Sequence, residues 1–210
     1  MSSQKKIPNA PTLLDVHHHM VPPVYLQALA KEGRDTEELP EWTPERSLRM
    51  MDRMGVEKAL LSLSPPGVWL GNDEEAVRLA RACNEYGASL VEEHPDRFGV
   101  LAALPFPDLD GSTTEVAYAL DTLKLDGVIL FSNVGSRYVG DPEFDPLMAE
   151  LHRRKTSVLL HPNSVPEGHE NAPLYPWAEY PIDLARAYAR LVYNDTLVRY
   201  PDIQWVLSHA

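Results

Sequence analysis

Four histidines stand where imidazole chemistry is to be expected: His17 and His19, two residues apart, then His161, then His209. The first pair follows Leu13-Leu14-Asp15-Val16, His161 follows Val158-Leu159-Leu160, and His209 follows Trp205-Val206-Leu207-Ser208. Each of these runs reads as a β-strand. Alternate side chains of a strand share a face, so His17 and His19 aim together while His18 points the other way. Such a pair suits two ligands on one divalent cation, because neutral imidazole binds zinc and other ions of the first transition row. By the same alternation Asp15 falls on the face of His17, where it can orient a ligand from the second shell. His161, at a strand end before Pro162, is read as a third ligand. His209 keeps two roles, a further ligand or a general base acting on a metal-bound water or on substrate, and spacing does not choose between them. His94, His152 and His169 fall at a helix C-terminus, in a helix interior and in a polar loop, and are read as ordinary solvated histidines.

The elements between these residues must bring them together. Strand-like runs occur at Leu13 to His19, Lys58 to Ser64, Phe98 to Leu104, Gly127 to Ser132, Ser157 to His161 and Ile203 to His209. Segments of helical period separate them. One is opened by Thr43-Pro44 and closed by Gly55, and others run from Asp73 to Glu93, Ser112 to Lys124, Asp141 to Arg154 and Pro181 to Tyr200. This alternation predicts an α/β fold with a parallel sheet, a TIM-like (β/α)8 barrel of which about six strand-helix units are present, as a single incomplete domain over residues 1–210. In such a barrel the strand ends share one mouth, so histidines far apart in sequence converge there. The stretch Pro162 to Tyr180, with Tyr175, Trp177 and Tyr180, and the segment Ser64 to Gly71, with Trp69, either wall a planar ring or pack their aromatics for stability alone, and the sequence does not choose between the two.

Composition narrows the partners. At 210 residues and 44% hydrophobic content the chain can bury a substantial core. Its 19 Lys and Arg against 31 Asp and Glu give a formal charge of −12, which argues against a nucleic-acid partner. The single cysteine, Cys83, excludes an intramolecular disulfide and fits a reducing compartment. Neither a secretory h-region nor a membrane span is visible, so a soluble cytoplasmic protein is expected.

Asp15-Val16-His17-His18-His19, His161-Pro162 and Ser208-His209-Ala210, in this order and on these strands, resemble the amidohydrolase superfamily and in particular its metal-dependent decarboxylases. Trp42-Thr43-Pro44, Met51-Asp52, Gly55-Val56, Asn84-Glu85-Tyr86, His94-Pro95-Asp96-Arg97-Phe98 and Leu104-Pro105 extend the likeness along nearly the whole chain. The branch includes aminocarboxymuconate-semialdehyde, γ-resorcylate and 6-methylsalicylate decarboxylases, and Val21-Pro22-Pro23 and Pro65-Pro66-Gly67-Val68 point to the last. The resemblance implies a divalent metal, zinc favoured over manganese, held by His17, His19 and His161 with an aspartate from an eighth strand. It gives His209 the part of catalytic proton carrier, and it implies a small aromatic or muconate-like carboxylic acid as substrate and a homodimer as assembly. Two departures stand out. Ser47 occupies the place where the aminocarboxymuconate enzymes hold a substrate carboxylate with arginine, which argues against that substrate. No seventh or eighth strand is present, so the natural gene product is expected to continue past Ala210, with this chain a truncation of it. A hydrolase of a lactone or amide on the same residues, and a non-catalytic remnant, are the competing readings.

Overall fold

A computed structural model describes residues 13–34, 41–134, 137–163 and 178–209. The first strand, β1 (Leu13–Met20), leads through Val21-Pro22 into α1 (Pro23–Lys31), with proline at the first helical position. The helix α2 (Pro44–Met54) opens on Thr43, whose side chain accepts from the Arg46 amide, and closes on Gly55 at φ 72. β2 (Val56–Leu63), α3 (Asp73–Glu93), β3 (Phe98–Ala103), α4 (Leu109–Ala117) and β4 (Gly127–Phe131) follow. A short antiparallel pair, β5 (Asn133–Val134) and β6 (Arg137–Tyr138), separates β4 from α5 (Asp145–Arg153). Then come β7 (Ser157–His161), α6 (Glu179–Tyr193), α7 (Thr196–Arg199) and β8 (Gln204–Leu207).

Six parallel strands pair in the order β1-β2-β3-β4-β7-β8, the arc of a (β/α) barrel with β1 and β8 as its outer strands. All six predicted strands are present. Sequence reading missed α1, too short for a strong period, and the β5–β6 pair, whose two-residue strands carry no alternation. The predicted last helix breaks at Asn194-Asp195, where Asp195 takes φ 55.

The sheet buries both faces. Its outer face and the helices form one large core that includes Leu61, Leu63, Phe98, Val100, Leu130, Val158 and Leu160. Its inner face carries a smaller layer of Leu101, Ile129 and Leu159, flanked by Leu60, Phe131 and Val206. That inner layer is the floor beneath the strand-end histidines. Several residues that carry the family likeness prove to be structural. Asn84, on α3, accepts from the Ala103 N–H at 2.8 Å and donates to the Ala103 carbonyl at 2.9 Å, clamping the end of β3. Arg97 donates to the Glu57 carbonyl at 3.0 Å and to Asp52 at 2.8 Å, fixing the entry of β3 against α2 and β2. Trp42 meets Tyr86 edge to face. No helix among the described residues is long and apolar enough to cross a membrane.

Candidate metal centre

His17 and His19 leave β1 on its inner face, and His161 ends β7 two residues beyond the floor residue Leu159. Their rings meet edge to face. His17 and His19 have centroids 4.9 Å apart, His17 and His161 5.0 Å, and His19 and His161 4.9 Å. One nitrogen from each of the three lies within 4.8 Å of the others, and the Nε2 atoms of His17 and His19 are 3.2 Å apart. Two nitrogens bound to one zinc-sized ion lie about 3.3 Å apart. The donor set therefore fits a divalent cation.

Protonation favours the same use. Burial lowers the His17 pKa, with His209 adding to the effect. Burial followed by the neighbouring His17 pushes His19 down to about 4, and burial followed by His19 pushes His161 down to about 2. All three are neutral at physiological pH, the form that binds metal. His161 Nδ1 lies 2.5 Å from the Pro162 carbonyl, which can only accept, so the proton sits on Nδ1 and the Nε2 lone pair is free to face the cluster.

His209 reaches the group differently. β8 ends at Leu207, the Ser208 N–H still donates to the Leu160 carbonyl at 3.1 Å, and His209 turns back at φ 53. Its Nε2 then stands 3.3 Å from His161 Nε2, with its ring 4.8 Å from that of His17. The predicted sixth strand thus stops two residues short of His209, and a left-handed turn supplies the aim. Burial lowers the His209 pKa, although the residue remains exposed on one side.

Asp15 is placed otherwise than strict alternation predicts. Between Asp15 and His18 the register with β2 shifts: Asp15 pairs with Ala59 and His18 with Leu61, so β1 carries one extra residue there. This bulge moves Asp15 to the side of His18. The His17 N–H donates to Asp15 Oδ1 at 3.0 Å, but Asp15 Oδ2 accepts from His18 Nδ1 at 3.0 Å, and His18 Nε2 in turn accepts from the Ser47 hydroxyl at 2.9 Å. Asp15 therefore hydrogen-bonds to the backbone of a candidate ligand, and acts on the His17 ring through its charge. Sequence reading missed the His18-Ser47 link, which joins β1 to α2 and gives Ser47 a structural task. Tyr180, foreseen as a wall, packs at 6.1 Å from His161 and 5.3 Å from His209. Tyr175, Trp177 and His169 lie outside the described residues. His94 caps α3 and His152 pairs with Asp202, both away from the cluster.

The amidohydrolase family model matches residues 14–210. The chain belongs to the amidohydrolase family. Among relatives, decarboxylase macB of Penicillium terrestre is 37% identical over 94% of this chain and 63% of its own length. The 6-methylsalicylic acid decarboxylase of Penicillium expansum is likewise 37% identical, over 94% of this chain and 63% of its length. This amidohydrolase chain thus spans about three fifths of the relatives it matches. A crystal structure of an amidohydrolase II superposes with a TM-score of 0.85 at 31% identity, covering 92% of this chain and 65% of the other. The manganese-bound dihydroxybenzoic acid decarboxylase of Polaromonas sp. JS666 shares the fold at a TM-score of 0.80 and 22% identity, over 94% of this chain and 65% of its own.

Proposed function

We propose that this amidohydrolase-family chain carries the metal-binding and proton-transferring residues of a decarboxylase acting on a small aromatic acid, salicylate-type substrates being favoured. The observation that carries the reading is the convergence of four imidazoles from β1, β7 and the turn after β8 on one point above an apolar floor. The aromatic-acid decarboxylases among its relatives support it. His17, His19 and His161 would hold the divalent ion, for which zinc and manganese are the candidates. When bound, such an ion polarises the oxygens of an acid substrate.

The remaining chemistry belongs to the chain. Phe131 stands beside His161 in register, with its ring 5.8 Å away, and the Tyr180 ring packs 6.1 Å from His161 and 5.3 Å from His209, so aromatic surface adjoins the imidazoles. Water is thereby limited where an electron-rich ring carbon must be protonated by a chosen donor. His209 is that donor. Its Nε2 delivers a proton to the ring carbon bearing the carboxylate, the C–C bond then breaks, its electron pair restores the aromatic ring, and CO2 departs. Exposure of His209 on its outer side lets solvent return the proton. The site residues thus act as general acid, holders and walls, without a covalent enzyme intermediate.

The test is CO2 release from salicylate and 6-alkylsalicylates with zinc or manganese added, run in D2O and in 18O-labelled water. The expected product is the phenol, deuterated where the carboxylate was and free of label from water oxygen. His209→Asn should lower kcat by about 10²–10⁴-fold, the usual contribution of a general acid. Water oxygen incorporated into a lactone or amide product, with no CO2, would instead identify a hydrolase.

A further inference from the structure

We infer that Asp183, on α6, is a positioning residue for the candidate ligand His161, acting through Ser132 and the peptide unit between Pro162 and Asn163. This rests on the three-histidine metal site proposed above. The His161 ring is oriented by its Nδ1, which lies 2.5 Å from the Pro162 carbonyl. That carbonyl and the Asn163 N–H belong to one planar peptide unit, and in a trans unit the two point opposite ways. Whatever fixes the N–H therefore aims the carbonyl. The Asn163 N–H donates to Ser132 Oγ at 3.0 Å and lies 3.4 Å from Asp183 Oδ2. The Ser132 N–H in turn donates to the His161 carbonyl at 2.7 Å. Ser132 thus grips the chain on both sides of Pro162.

Asp183 decides which way Ser132 works. A hydroxyl has one proton and two lone pairs. Ser132 gives its proton to Asp183, which leaves its oxygen to accept from the Asn163 N–H and from Asn133 Nδ2 at 3.3 Å. Asp183 also accepts from the Tyr138 hydroxyl at 2.8 Å and from the Asn133 side-chain amide at 3.0 Å. Ser132, Asn133, Tyr138 and Asp183 are all buried, and a buried network of this kind holds its members rigidly. The Asn163 side chain adds a second tie, its Nδ2 donating to the Asn133 carbonyl at 2.9 Å. The same carboxylate seats α6 beside the cluster, for Tyr180, one helical turn before Asp183, packs 5.3 Å from His209. The consequence reaches the cation site through the His161 tautomer. With the Nδ1 proton held by Pro162, Nε2 keeps its lone pair for a metal. If the carbonyl swings away, the imidazole is free to carry its proton on Nε2, the atom that should bind.

The test reads His161 in two ways in D183A, S132A and Y138F. Long-range 1H–15N correlation on the metal-free protein reports the ring tautomer, and zinc titrated against a chelator reports affinity. The parent should show His161 protonated on Nδ1. D183A and S132A should lose that single signature and bind zinc about tenfold or more weaker, the low end of what is lost when a group orienting a ligand is removed. Y138F takes a hydrogen bond from the same carboxylate but none from the turn, so it should keep the tautomer and stay within about threefold of the parent. Should D183A fail to fold, S132A, which deletes one hydroxyl, decides by the same two readouts. Unchanged tautomer and affinity in the folded variants, an effect of Y138F as large as theirs, or a parent His161 protonated on Nε2 overturns the role of Asp183. A parent that binds no zinc overturns the metal site instead, and the tautomer comparison still decides on Asp183.

Discussion

His17, His19 and His161 are neutral because the fold buries them beside other imidazoles, and this has a measurable consequence in the metal-free protein. His19 is held down to about 4 and His161 to about 2, from an ordinary value of 6.5. Below pH 6.5 the unfolded chain takes up protons that the folded chain refuses, so stability falls as pH falls. Each such histidine contributes a slope of at most about 1.4 kcal/mol per pH unit. Urea midpoints measured in chelator should therefore decline from pH 7.5 to 5.5, and the decline should be shallower in His161→Asn. A flat profile over that range would contradict the burial argument. At this scale His17, His19, His161 and His209 were legible because each ends or follows an apolar run. Asp15 was misplaced because a bulge breaks alternation without any residue signal, and His18-Ser47 spans 29 positions that no local spacing connects. The buried contacts in which Asp183 accepts from the Ser132 hydroxyl and Asn163 Nδ2 donates to the Asn133 carbonyl were unreadable for the same reason, since they join residues up to 51 apart.

At the scale of elements, the strands were readable from their apolar runs and the helices α2 and α3 from caps and period. What joins them was not, and Asn84 is the clearest instance. It is fully buried and holds the N–H and carbonyl of Ala103 while also donating to Glu115 Oε1 at 2.8 Å. Asn84→Ala leaves those groups unpaired in the interior and should cost about 2 kcal/mol or more by chemical denaturation. Because β3 supplies none of the four histidines, metal affinity of the folded variant should stay within a few-fold of the parent. A loss below about 0.5 kcal/mol would show that the clamp is replaceable.

For the molecule as a whole, the order β1-β2-β3-β4-β7-β8 places the first and last strands of the described chain at opposite ends of the sheet, while His17, His19, His161 and His209 still converge. Curvature makes this possible. A flat sheet of six strands spaced about 4.8 Å apart would separate β1 from β7 by about four such steps, far beyond the 4.9 Å between the His19 and His161 rings. The barrel arc is thus the physical origin of the site. Metal content tests this most directly. Dialysed against zinc or manganese and counted by elemental mass spectrometry, the protein should hold one ion per chain at the three-histidine site, lose it in His161→Ala, and keep it in His209→Asn. A parent that binds no ion, or a His161→Ala variant that retains it undiminished, would contradict the account.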